Sequence, residues 1–145
     1  MKKQFKHFFV QSLDPYKDDI VVVVGMNGDE FREAMKQNKL FPKAQKELSE
    51  IWNNSSDELT DKNEGIVLAN KGGTKARILW LKEWGNTWGC IDNLVHETNH
   101  VIHFSLISGR DMQEEMEALA YAQEYIFSHI RYELNRALKK WRKKK

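Results

Sequence analysis

The chain has 145 residues, 41% of them hydrophobic and 30% charged, and a formal net charge of +2. That is one domain's worth of sequence, large enough to bury a core without staples and too nearly neutral to mark the whole chain as a nucleic-acid binder. The single cysteine, Cys90, excludes an intramolecular disulfide and fits a reducing compartment. Residues 1–10 carry positive charge but no sustained apolar core and no small-residue cleavage site, so no signal peptide is expected. The longest apolar run, residues 20–24, is far too short to span a bilayer, and a cytoplasmic protein is the expectation.

Residues 8–13 read as a strand, and Asp14, Pro15, Asp18 and Asp19 supply turn chemistry after it. Residues 20–24 are β-branched throughout, which predicts a strand buried on both faces. Residues 30–37 and 43–52 predict two short amphipathic helices separated near Pro42, and residues 53–63 a polar loop. Residues 65–70 and 75–84 flank Lys71, Gly72, Gly73 and Thr74, a β-hairpin signal. After a break at residues 85–89 comes an apolar helix over residues 91–106, ended by Ser108 and Gly109. Asp111 with Glu114 three positions later resembles a capping box and starts a long second helix to about Trp141. Strands and short helices followed by two long helices make an α+β pattern within a single domain covering residues 1–145.

The first long helix carries His96, Glu97 and His100. Leu94, Val95, Val101, Ile102, Phe104 and Leu106 give it a wide apolar arc, while His96, His100 and His103 share the remaining stripe. Two imidazoles four residues apart on one helix face can grip one Zn²⁺, and a glutamate between them can activate water there. Buried imidazoles need partners, and a metal satisfies them together. A catalytic zinc takes three protein ligands and keeps a fourth position open. The second helix offers Glu114, Glu115, Glu117 and Glu124 as the third. Glu114 is explained by the cap, and Glu117 lies one turn deeper, beside the small residues Ala118 and Ala120 that let helices approach.

His96-Glu97-x-x-His100 followed by Glu117-Ala118-Leu119-Ala120-Tyr121 resembles the gluzincin clan of zinc metallopeptidases, most closely its compact phage-encoded and repressor-cleaving members. The motif resemblance covers about residues 78–125; the first half of the chain matches in general architecture only. It implies a small zincin-like domain with His96, His100 and Glu117 as zinc ligands, Glu97 as general base, and an extended peptide or protein as substrate. The arm over residues 76–84 fits the sheet edge that lies beside the site in those folds. Tyr121, one turn beyond Glu117, is the candidate for stabilising the oxyanion, a group the chain otherwise lacks in assured form. The chain is also shorter than well-characterised enzymes of the clan, with little room for a second lobe.

Two other readings compete. One is a metal-binding interaction protein without turnover. The other follows from Lys139, Lys140, Arg142, Lys143, Lys144 and Lys145, which crowd the last seven residues: a nucleic-acid or acidic-partner contact, against the plainer reading of a frayed, solvated helix end. Oligomeric state is not legible, and the five tryptophans are expected in the core.

Overall fold

A computed structural model describes residues 4–12, 19–55, 59, 63–69, 77–85, 87–105 and 116–144, the backbone alone for residues 103–105 and 116–118. Its elements are β1 (His7–Ser12), β2 (Asp19–Val24), α1 (Gly28–Gln37), α2 (Pro42–Asn54), β3 (Gly65–Ala69), β4 (Arg77–Leu81), α3 (Trp88–Ser105) and α4 (Met116–Lys143). The expected α+β order is present. The expected turn after β1, the hairpin tip at Lys71–Thr74, the stop at Ser108 and Gly109 and the cap at Asp111 and Glu114 lie outside the described residues.

The four strands form one mixed sheet in the order β1-β2-β4-β3. β1 runs antiparallel to β2, β2 parallel to β4, and β3 antiparallel to β4 with Gly65 opposite Leu81 and Ala69 opposite Arg77. The period of two explains why β2 is apolar at every buried position. Ile20, Val22 and Val24, with Leu79 and Leu81, face a core shared with α3 and α4. Val21 and Val23, with Ile78 and Trp80, face a second core built by Phe31, Met35, Leu48, Ile51 and Trp52 of α1 and α2. The sheet is thus a central layer with a helix pair on each side. Trp52, Trp80 and Trp84 are buried as expected, whereas Trp88 is 83% exposed at the start of α3. No helix among the described residues is long and apolar enough to cross a membrane.

One sequence expectation is corrected here. The arm over residues 76–84, which contains β4, is not a sheet edge: β4 is enclosed between β2 and β3, and the terminal strand on that side is β3. Strand order depends on pairing between β2 and β4, distant in sequence, which the hairpin signal does not carry.

α1 starts two residues before the expected Glu30. Asn27 Oδ1 accepts from the Glu30 amide at 2.9 Å and Glu30 Oε1 accepts from the Asn27 amide at 3.1 Å, a reciprocal cap. The chain reaches this cap from β2 through Gly25, whose φ of 67° is left-handed. A Cβ there would lie 2.8 Å from the Phe5 carbonyl oxygen. Gly25→Ala is therefore expected to cost about 1–3 kcal/mol, read as a lower urea midpoint at unchanged m-value.

α4 is held along most of its length. Ala122, Ile126, Ile130, Leu134 and Leu138 are buried at four-residue spacing. Trp141 packs edge-on against Phe5 with ring centroids 5.8 Å apart. His7 Nε2 lies 3.2 Å from Glu133 Oε1, joining β1 to α4. Burial holds the His7 pKa below its ordinary 6.5, against the opposing pull of Glu133. The unfolded chain therefore takes up the proton first, and stability present above 6.5 is lost as pH falls through 6.5 towards the folded value. Each unit of depression is worth about 1.4 kcal/mol. In melts recorded on either side of 6.5, His7→Gln is expected to flatten that fall while keeping a donor for Glu133.

Candidate metal centre

α3 begins at Thr87, whose Oγ1 accepts from the Cys90 amide at 3.3 Å and whose carbonyl accepts from Ile91 at 2.9 Å. The helix then passes the free edge of β3 with Leu94, Glu97, Thr98, Val101 and Ile102 turned inward. The apolar arc is narrower than expected, because Val95 is 45% exposed.

His96 and His100 leave this buried line on one side. Their Nε2 atoms are 3.0 Å apart, and the rings meet edge to face with centroids 4.6 Å apart. That separation can be bridged by one shared proton or one cation. Ligand atoms on a tetrahedral zinc with bonds of 2.0–2.1 Å sit about 3.3 Å apart, so the two nitrogens need shift only slightly to fit.

The carboxylate between them is the buried member of the set. Glu97 is 6% exposed, and its Oε1 lies 3.9 Å from His96 Nε2. The side chain of His96 is 69% exposed and His100 is half-buried. The expectation that the imidazoles need a metal because they are buried thus fails. The group that needs a partner is Glu97, and the Val67 amide of β3 lies on its side of the sheet and favours its ionised form. The Lys82 amide donates to the Glu64 carbonyl, so the alternation along β3 turns the amide of Val67 to the free side of the sheet. Gly65 makes room for the contact: a Cβ there would sit 3.3 Å from Glu97 Cγ. Burial raises the Glu97 pKa above the ordinary carboxylate value, while His100, His96 and the Val67 amide oppose that rise.

Next to Glu97, Thr98 fastens α3 to α4. Thr98 Oγ1 donates to the Leu94 carbonyl at 2.8 Å and accepts from Gln123 Nε2 at 2.9 Å, and Gln123 also reaches the Val95 carbonyl at 3.2 Å. Thr98, Gln123, Val67 and Gly65 were not singled out by sequence. The one local signal for any of them is a threonine placed among the apolar positions of a helix, where its hydroxyl requires a partner.

His96, Glu97 and His100 each offer a ligand atom within 4.8 Å of the others, among the described residues. Glu117, the expected third ligand, lies on the first described turn of α4, seventeen residues after His100, and its side chain is outside the described residues, as is that of His103. Ala120 is exposed, so its small size does not serve the helix contact, whereas Ala122 two residues on is buried. Tyr121 is 67% exposed, and among the described residues it makes no hydrogen bond. Neutral imidazoles with carboxylates form a donor set that suits zinc, with iron, cobalt, nickel and manganese as competitors for the same ligands. No family model matches the chain, and no curated protein or solved structure matches it.

Proposed function

We propose that this protein is a zinc-dependent peptidase in which His96, His100 and Glu117 hold the ion and Glu97 is the general base. One observation carries the reading: a buried carboxylate, raised in pKa, set 3.9 Å from the first of two imidazoles whose Nε2 atoms converge. A purely structural zinc site has no use for that carboxylate. When bound, the ion polarises the scissile carbonyl and acidifies water. Glu97 takes the proton released by the attacking water and passes it to the leaving amine. A carboxylate with a raised pKa is the better base at neutral pH, being closer to the operating pH than a solvated one. Among the described residues no strand pairs with the outer side of β3, which supports an extended polypeptide as substrate, since the same alternation turns the amides of Gly65 and Ala69 outward on either side of Val67.

The test is hydrolysis of an unstructured protein substrate and of a quenched fluorescent peptide library by protein purified without added metal. Stoichiometric zinc, cleavage abolished by a chelator and cleavage restored by zinc are expected. Metal-free protein that cleaves fully overturns the reading.

A second reading, a zinc-binding interaction module without turnover, is favoured by the exposure of Tyr121, which leaves no described group committed to an oxyanion. It predicts zinc binding with no cleavage in the same assay.

A further inference from the structure

Residues 131–145 hold eight of the 23 Lys and Arg and only one of the 21 Asp and Glu. Residues 1–130 are left with fifteen cations against twenty acids, a net charge of −5. The chain is therefore an acidic body with a strongly basic end. α4 runs to Lys143, with Leu138 buried and Trp141 against Phe5 inside the basic run. The cations are thus held in helical register.

Glu133, the one acid of the segment, is already engaged by Arg136 and His7. Lys139, Lys140, Arg142, Lys143 and Lys144 are exposed, and among the described residues none of them forms an ion pair. Of these, the four on α4 (Lys139, Lys140, Arg142 and Lys143) span five residues, about 7.5 Å of helix axis, about one charge per 2 Å. A nucleic-acid strand carries about one phosphate per 3.4 Å, so the helix end meets or exceeds the charge density of a backbone laid along it. Lys139, Arg142 and Lys143 also line a shallow groove of about 440 Å³ with Asn135 and Leu138. Tyr132, 72% exposed, lies seven residues before Lys139 and so on the same side of α4. It offers a face on which a base can stack.

We propose that this outer face of α4 binds single-stranded nucleic acid, with Lys139, Arg142 and Lys143 on phosphates and Tyr132 stacked on a base. The surface is separate from the metal centre and does not depend on the peptidase reading. An anionic membrane is the poorer fit, because the apolar side of α4 is turned into the core and has nothing to insert.

The test is fluorescence anisotropy of the full chain with labelled oligothymidylate, a mixed-sequence duplex, polyglutamate, and vesicles containing phosphatidylserine. Oligothymidylate is expected to bind most tightly, with log K falling linearly in log salt. The triple variant Lys139→Gln, Arg142→Gln, Lys143→Gln is expected to lower that slope by about 2. Tyr132→Ala is expected to weaken binding by about 5- to 150-fold at fixed salt. All four positions are exposed, so an unchanged far-UV spectrum and urea midpoint show that the variants fold. No binding at low salt, or an unchanged slope in the triple variant, overturns the proposal. So does polyglutamate or vesicle binding as tight as the oligonucleotide's, which makes an acidic protein or a lipid surface the occupant. Tighter binding to the duplex with no effect of Tyr132→Ala overturns the single-strand assignment.

Discussion

Replacing Glu97 by glutamine is expected to lower peptide hydrolysis by about 10²–10⁴-fold, the share of rate that a positioned general base supplies. Glutamine has the shape of glutamate and keeps an acceptor for the Val67 amide, so the contact with β3 survives. It cannot accept the proton. In the proposed reaction the effect belongs in kcat with KM nearly unchanged, because the group removed would act on the reacting water rather than hold the substrate. Zinc content by elemental analysis stays at one per chain, since neither imidazole is altered. A Glu97→Gln protein that turns over like wild type removes Glu97 from the chemistry and leaves its burial as a packing feature.

His96→Ala and His100→Ala are expected to act at the earlier step of metal retention. Each deletes one of two nitrogens that lie 3.0 Å apart, and a single imidazole on a helix surface holds zinc weakly. Loss of an outer partner of a zinc ligand typically costs about 10–100-fold in affinity, and loss of a ligand exceeds that. The readout need not involve catalysis. Zinc at about 100 times its Kd stabilises the folded state by about 2.7 kcal/mol, so the wild-type melting temperature should rise on addition of zinc. Both variants should lose that rise while keeping the metal-free melting temperature, because His96 is exposed and His100 only half-buried. Glu117→Ala is expected to behave in the same way. A full zinc-dependent shift in the Glu117 variant would transfer the third ligand to another carboxylate and put the assignment taken from the clan in doubt.

Local pattern is legible in this sequence, and long-range placement is not. β2 announced itself through five consecutive β-branched or branched apolar residues, because both faces of that strand are covered. The hairpin of β3 and β4 was legible because its two arms are neighbours in sequence. That β4 lies inside the sheet was not, since it depends on the parallel pairing with β2. In α3 the spacing of His96 and His100 places them together whatever surrounds the helix. Which side of the helix meets the sheet is a tertiary fact, and periodicity alone put the histidines inward and left Glu97 merely beside their stripe. α1 begins earlier than its acidic residue suggests because its cap is Asn27, and Glu30 is the residue that answers that cap three positions on.

The contact between Val67 and Glu97 also bears on how copies of this chain meet. An outer strand with open amides is a template on which another chain can grow the sheet, and short length and occupied amides are the usual defences. β3 is five residues long, and the Glu97 carboxylate of α3 stands on the side of its central outward amide, that of Val67. Shortening Glu97 to alanine would release that amide, so a change made on α3 would surface as cross-chain strand pairing and aggregation.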